Sequence, residues 1–491
     1  MMTQPNIVFI TTDTQGRNMV SAYGDRPGVS TPNIDRLAAD GVLFENCYVA
    51  CPLCTPSRAA WYTGRHPNRG GAWGNEMTVG RHVPMLAELL AERGYDVMHV
   101  GKWHLDGGGY NGLGHADGGF DPAVWYDLSN FYDEVGRDGY NRFGGWSKGL
   151  EDIQYCFGHR VADQAVAVLE QRAKADQPFF LAVEFDEPHG PYICPPPYSG
   201  SHTLESIEQP ATFMTDMHDK PRLQQQYAAY LAELRASPDQ YPAYYTRYYD
   251  CNSYVDYEIG RVIDAVERFA PDDTVIICTS DHGDHLGEFG LGAKGPTMYD
   301  STTAVPLIIR APHLTTANRR ETGLVSSVDI PATILDVAGL AIRDEARFSA
   351  QNGYSWQSLT PVLAGRVAKV RDEVFMEYNR FGKQFEQVDG LYPIRCIVTE
   401  DWKLSINLFD TDELYSRQAD PQEATNRIND AGLQDVRADL HDRLLAWQRQ
   451  IHDVFRGPQW GYRPWRPDYE HRFEGLTTTG YKDDWPFGRF A

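Results

Sequence analysis

Asp13 follows the apolar, β-branched run Asn6-Ile7-Val8-Phe9-Ile10, and Asp281-His282-Gly283-Asp284-His285 follows the similar run Val275-Ile276-Ile277-Cys278-Thr279-Ser280. Oxygen and imidazole donors delivered from two strand ends can close on one metal ion. Cationic and proton-carrying groups recur in the same setting. Lys102 and His104 come after the strand candidate running from Gly94 to Val100, and His189 sits in a proline-pinned loop after Phe179 to Phe185. Lys294 lies between small residues ahead of the run from Val305 to Ile309, and Cys54 and Arg58 stand four apart in Cys54-Thr55-Pro56-Ser57-Arg58. A divalent cation to hold an anionic ester, positive groups to neutralise charge developing on oxygen, and a proton shuttle are what cleavage of such an ester needs.

Taken singly, these residues are weak signals. An aspartate at a strand end is more often a cap or turn former, and a lone loop lysine is usually a solvated charge. Their order gives the reading its force, since each stands behind a predicted strand. Buried parallel strands direct the residues at their carboxyl ends into the crevice where α/β proteins bind ligands. Lys102 and His104 alternate on one side of an extended chain, so both can face one pocket while Trp103 points away. Helical patterns such as Met85 to Arg93 and Val161 to Ala173 alternate with the strands. The expected fold is therefore α/β, a large mostly parallel sheet sandwiched by helices. From about Val370 the pattern changes to shorter strands, Glu373 to Tyr378, Tyr392 to Thr399 and Trp402 to Leu408, then an amphipathic helix around Val436 to Ile451. This predicts a catalytic unit over 1–369 and a smaller antiparallel sheet-and-helix unit over 370–491.

A chance Cys-x-Pro-x-Arg occurs in on the order of a few per cent of chains of this length and composition, so that motif needs its partners. With them, the chain resembles the formylglycine-dependent sulfatase family of the alkaline phosphatase superfamily. The resemblance runs from Asn6 through Cys54 to Arg65, Gly101 to Leu105, Pro188 to Pro191 and Ser280 to Lys294, and on to Asp412-Glu413-Leu414-Tyr415. Within the family it looks similar to uncharacterised bacterial cytosolic sulfatases that share Thr12-Asp13-Thr14-Gln15 and Glu377-Tyr378-Asn379-Arg380.

The resemblance implies an alkaline phosphatase-like fold and hydrolysis of a small organic sulfate monoester, carried on a sugar. It implies that a maturation enzyme oxidises Cys54 to formylglycine, whose hydrate attacks sulfur. Asp13, Cys54, Asp281 and His282 would hold one divalent metal. Arg58 would orient the aldehyde, Lys102, His189 and Lys294 would grip the sulfuryl oxygens, and His104 would take the proton that lets sulfate leave. Asn75, Glu377, Asn379, Arg380 and Arg395 are candidate substrate contacts. Many sulfatases carry a second aspartate where this chain has Thr14 and an asparagine where it has His282. Fewer carboxylates and one nitrogen donor make manganese a competitor of calcium. The Asp-His pair also resembles choline sulfatases and phosphonate monoester hydrolases of the superfamily, and a phosphonate monoester or phosphodiester hydrolase using the same site is the alternative activity.

Composition sets outer limits. Lys plus Arg number 45 against 68 Asp plus Glu, a net charge of −23. That balance argues against nucleic acid or an anionic membrane as partner, so any positive pocket must be local. No basic and apolar leader precedes the first strand and no run is long enough to span a bilayer, which gives a cytoplasmic expectation. The eight cysteines show no disulfide framework, and Cys51, lacking Pro and Arg at the required offsets, reads as structural. The segment from Leu105 to Cys156 is too long for an ordinary connection and is expected to wall the pocket. The aromatic tail from Gln459 to Ala491 should pack on this chain or a neighbour, favouring a homo-oligomer.

Overall fold

The computed structural model describes residues 4–467, apart from 25, 137–152, 173, 236–240, 341–347, 349–351 and 382–389. Eight strands form the larger sheet: β1 Ile7–Thr12, β2 Val42–Tyr48, β3 Asp96–Gly101, β4 Phe179–Glu184, β5 Val275–Ser280, β6 Ala304–Val305, β7 Leu307–Arg310 and β8 Arg319–Ser326. Their order is β3-β4-β1-β5-β7-β2-β6, with β8 paired to β2. The strands β3, β4, β1 and β5 run parallel, and β7 then pairs antiparallel with both β5 and β2. The sheet is thus parallel where the candidate residues sit and mixed beyond.

Alternation along β1 shows why helices cover both faces. Ile7 and Phe9 enter one apolar cluster, with Trp61 of the helix Cys54–Thr63 and Leu335 of the helix Asp329–Val337. Val8 and Ile10 enter the opposite cluster, with Val161 of Phe157–Arg172 and Ile259 of Tyr245–Phe269. Strands apolar on both faces must be covered on both, which the near-continuous runs in the sequence anticipated. The 25-residue helix Tyr245–Phe269 was not anticipated. It carries Tyr, Asp and Asn through its buried face, which blurs the apolar stripe that marks an amphipathic helix.

The second sheet has four antiparallel strands in the order β12-β11-β10-β9: β9 Val374–Phe381, β10 Gly390–Val398, β11 Trp402–Asn407 and β12 Glu413–Ser416. The helix Gln434–Gln450 packs Leu440, Leu444 and Trp447 against Ile397, Leu404 and Ile406 of this sheet. The other face of this sheet meets the β2 region of the larger sheet, where Met376 and Val398 pack on Tyr48 and Cys51. Trp460 is buried and Trp465 packs on His441, so the start of the aromatic tail folds onto this chain. Trp485, Phe487 and Phe490 lie outside the described residues. No helix among the described residues is long and apolar enough to cross a membrane.

Candidate active site and metal centre

Cys54 is the first residue of the helix Cys54–Thr63, all ten residues of which are buried. A helix N-terminus presents unpaired N–H groups and a positive dipole end, favourable for an anion at this position. The Asn75 Oδ1 atom accepts from the Thr55 N–H at 3.1 Å, and the Thr55 hydroxyl donates to the His104 carbonyl at 3.0 Å. These two bonds fix the start of the helix against the segment that bears His104.

Two strand ends bring the donors to Cys54. Asp13 follows β1, and Asp281 and His282 follow β5, which lies beside it in register from Ile7↔Val275 to Thr12↔Ser280. Gly283 is squeezed between Gly16 and the Ser301 carbonyl, and a Cβ there would lie 1.9 Å from that oxygen. Only glycine lets this loop close. The Cys54 Sγ atom lies 3.3 Å from His282 Nε2 and 3.8 Å from Asp13 Oδ1. One ligand atom from each of Asp13, Cys54, Asp281 and His282 lies within 4.8 Å of the others.

The electrostatics are those of a cation site. Burial and then repulsion from Asp13 raise Asp281 to about 7. Burial also disfavours charge on Asp13, but neighbouring cations, Lys102 first with Lys294 and Arg58, outweigh it and hold that carboxyl well below its ordinary range. Burial lowers His282 and leaves it a neutral imidazole, the form that binds metals. Two carboxylates, one imidazole and the side chain at position 54, fully enclosed, fit a divalent cation.

Positive groups surround this cluster. Lys102 Nζ lies 2.6 Å from Asp13 Oδ2 and 2.8 Å from Asp186 Oδ1, above the Tyr110 ring. Gly101, at φ 125°, packs so tightly on Glu184 that a Cβ would fall 2.0 Å from its carbonyl oxygen, and this close approach sets where Lys102 emerges. Arg58 is wholly buried and its guanidinium contacts Asp13, Asp281 and Glu184. His189 Nε2 lies 2.9 Å from Lys294 Nζ, while its Nδ1 faces the Gly190 carbonyl at 2.7 Å and the Tyr110 hydroxyl at 2.9 Å. Burial, then the charges of Lys102 and Arg58, push His104 well below its usual range, so it is neutral and able to accept a proton.

Cys54, His104, His189 and Lys294 open onto a cavity of about 490 Å³, with Tyr110, Tyr192 and Asp284 on its walls. That size suits a small organic ligand. Asn75 also lines it. From the long segment after Leu105, Tyr110 reaches the cavity wall, and residues 137–152 lie outside the described part.

The structure brings together Asp13, Cys54, Arg58, Asn75, Lys102, His104, His189, Asp281, His282 and Lys294. It places Glu377, Asn379 and Arg395 elsewhere. All three are buried and none lines the cavity. Glu377 accepts from the Asn68 N–H at 2.5 Å and from the Asn68 side-chain amide, and its own N–H donates to the Ala50 carbonyl at 2.9 Å. Arg395 is paired with Asp453 and donates to Asn379 Oδ1 at 2.8 Å. The expectation that these three contact substrate differs from what their surroundings show, polar atoms engaged by Asn68, Asp453 and one another. The side chain of Arg380 lies outside the described residues. His285, in the acidic cluster, also turns away from the cavity, toward Ser301 and Thr297.

Sequence reasoning missed Glu184 and Tyr110. Glu184 had a signal: a carboxylate inside the apolar run from Phe179 to Phe185 must be paired if it is buried. Tyr110 carried none, being one aromatic among many in a glycine-rich stretch.

The profile described as Sulfatase matches residues 5–340, and that described as N-sulphoglucosamine sulphohydrolase, C-terminal, matches 287–450. The chain is 36% identical to the uncharacterized sulfatase YidJ of Escherichia coli (strain K12) over 482 residues, covering 96% of this chain and 93% of that protein. It is 26% identical to the N-acetylglucosamine-6-O-sulfatase of Bacteroides thetaiotaomicron, covering 92% and 87%. Among solved structures, BT4656 in complex with its substrate D-glucosamine-2-N,6-O-disulfate superposes with a TM-score of 0.71 at 24% identity, covering 92% of this chain and 99% of the other. The phosphonate monoester hydrolase of Agrobacterium radiobacter superposes with a TM-score of 0.73 at 24% identity, covering 92% and 97%. These two likenesses speak to the fold.

Proposed function

We propose, from the premise that this chain belongs to the sulfatase family, that its substrate is a small sulfate monoester carried on a sugar and that its nucleophile is Cys54 oxidised to formylglycine. The observation that carries this reading is the position of Cys54, at a helix N-terminus, facing Asp13, Asp281 and His282 on one side and the cavity on the other. A sugar as carrier is supported by the cavity volume, by Tyr110 and Tyr192 on its walls, and by the relatives named for sulfated amino sugars.

The chain's own groups divide the work. A divalent cation, calcium or manganese, held by Asp13, Asp281, His282 and the side chain at 54, would supply positive charge where the nucleophile and the ester oxygen meet. Lys102 and Lys294 bring further positive charge to the transferring sulfuryl group. The pair of His189 and Lys294, which holds one proton between Nε2 and Nζ, is placed to protonate the departing alcohol oxygen. His104 is placed to take the proton of the hydroxyl remaining at position 54, so that sulfate leaves and the aldehyde re-forms. A serine or thiol would instead retain a sulfate ester requiring a second attack by water. Conversion of Cys54 requires a formylglycine-generating enzyme as partner.

The same residues would serve a phosphonate monoester or phosphodiester hydrolase, and the His282 ligand is the feature that favours this second reading. Comparison of kcat/KM for an aryl sulfate and an aryl phosphonate monoester on protein co-produced with the maturation enzyme separates the two. The sulfate is expected to turn over faster; a large preference for the phosphonate would overturn the assignment.

A further inference from the structure

We infer that Glu184 is a positioning residue for the metal centre, acting through Arg58, an inference that rests on the metal reading above. Glu184 ends β4, is fully buried and does not line the cavity, so it cannot touch substrate. Its Oε2 accepts from Arg58 Nη1 at 2.6 Å and from the Thr11 hydroxyl at 3.3 Å. Its Oε1 accepts from the Tyr62 hydroxyl and lies 3.3 Å from His99 Nε2. The Lys102 carbonyl accepts from the same Arg58 nitrogen at 2.9 Å. One prong of the guanidinium is thereby pinned from two directions.

A guanidinium is planar and rigid, so fixing one prong determines where the rest of the fork aims. Arg58 Nε donates to Asp281 Oδ2 at 3.1 Å and Nη2 to Asp13 Oδ2 at 3.2 Å. Both metal-binding carboxylates commit their Oδ2 to Arg58. Their Oδ1 atoms face inward: Asp13 Oδ1 lies 3.8 Å from His282 Nε2 and from Cys54 Sγ, and Asp281 Oδ1 lies 3.6 Å from His282 Nε2. Thr14 holds the same two Oδ1 atoms, its N–H donating to Asp281 at 3.0 Å and its hydroxyl to Asp13 at 2.6 Å, so Glu184, through Arg58, shares with Thr14 the setting of which oxygen each aspartate offers to a cation.

Charge leads to the same place. Two buried cations abut the metal carboxylates, and each has a carboxylate of its own behind it: Arg58 with Glu184, and Lys102 with Asp186. This outer pair offsets part of the charge of the two cations and so preserves more of that of Asp13 and Asp281 for a metal. With Glu184 neutralised, Arg58 would lean its charge wholly on Asp13 and Asp281 and oppose a divalent ion. Partners of this kind behind metal ligands are typically worth a factor of about 10–100 in metal affinity.

The test is calorimetric titration of calcium and of manganese into chelator-stripped, full-length protein, comparing wild type with Glu184→Gln and Tyr62→Phe. Glu184→Gln is expected to bind the cation about 10–100-fold more weakly. Tyr62→Phe, which keeps every charge and frees only Oε1, should show a smaller loss in the same direction. A purely structural Glu184 would lower the melting temperature of the stripped protein and leave cation affinity within about twofold, and that result would overturn the inference while sparing the metal reading. Absence of cation binding by wild type ends both. Should Glu184→Gln yield no folded protein, Tyr62→Phe decides alone, and unchanged affinity counts against the inference.

Discussion

His189 Nε2 and Lys294 Nζ are 2.9 Å apart at the mouth of the cavity. Two protonated groups would repel at this distance, so one must be neutral. Burial opposes the charge on Lys294, but Cys54, Asp13 and Asp281 outweigh it and raise its pKa, so the lysine carries the proton. His189 accordingly accepts at Nε2 and donates from Nδ1 toward the Gly190 carbonyl. Lys294→Ala is expected to lower kcat by roughly 10²–10³, as for loss of one preorganised donor to a developing oxyanion. Steady-state kinetics on an aryl sulfate check this, with the melting temperature as the control for folding.

Cys54→Ala should abolish turnover and leave the fold intact, because the thiol fills little volume and its neighbours are the functional groups themselves. Loss of a covalent nucleophile costs on the order of 10⁶ in kcat in the best-studied hydrolases. The matching analytical prediction is a peptide spanning residue 54 that carries an aldehyde when the maturation enzyme is co-produced. An intact thiol in fully active protein would refute the mechanism.

Glu187 predicts a pH dependence of stability away from the metal centre. Burial, then repulsion from Asp186, raises its carboxyl from an ordinary value near 4.5 to about 8. Its Oε1 accepts from the Gly158 N–H at 2.9 Å, and its Oε2, buried without a partner, suits a protonated oxygen. The folded state thus holds a proton that the unfolded chain releases above about 4.5. The stability this confers is complete below that pH and is lost as pH rises through about 8. Glu187→Gln keeps the acceptor and removes the titration, so its urea midpoint should exceed that of wild type at pH 8 and converge with it near pH 5. The gap should reach on the order of a few kcal/mol.

Asp453→Asn tests where Arg395 acts. The pair is fully buried, and removing one partner of such a pair typically costs about 3–5 kcal/mol. Chemical denaturation should register that loss, while KM for the sulfate ester stays at its wild-type value. A raised KM with unchanged stability would restore Arg395 as a substrate contact.

Residues at strand ends were legible because a buried strand is short, apolar and sharply bounded, so whatever polar residue follows it must emerge at the sheet edge. Asp13 after Ile7–Thr12 and Asp281 after Val275–Ser280 are of this kind. Glu377, Asn379 and Arg395 offered no such guide: charged and amide groups within strands read as exposed or functional, and only the folded chain shows their partners, Asn68 for Glu377 and Asp453 for Arg395. The antiparallel entry of β7 was also hidden, since the period of a strand carries no direction. Tyr110 reaches the cavity from a loop whose path no local pattern specifies.

The bond from Glu377 to Ala50, with the clasp on Asn68, ties the stretch bearing Cys54 to a strand that leaves the ribosome 309 positions after Asn68. During synthesis, then, the helix that seats Cys54 lacks its final brace until the second sheet has emerged and docked. A chain cut before residue 374 would have every candidate group for the chemistry but no finished seat to hold them.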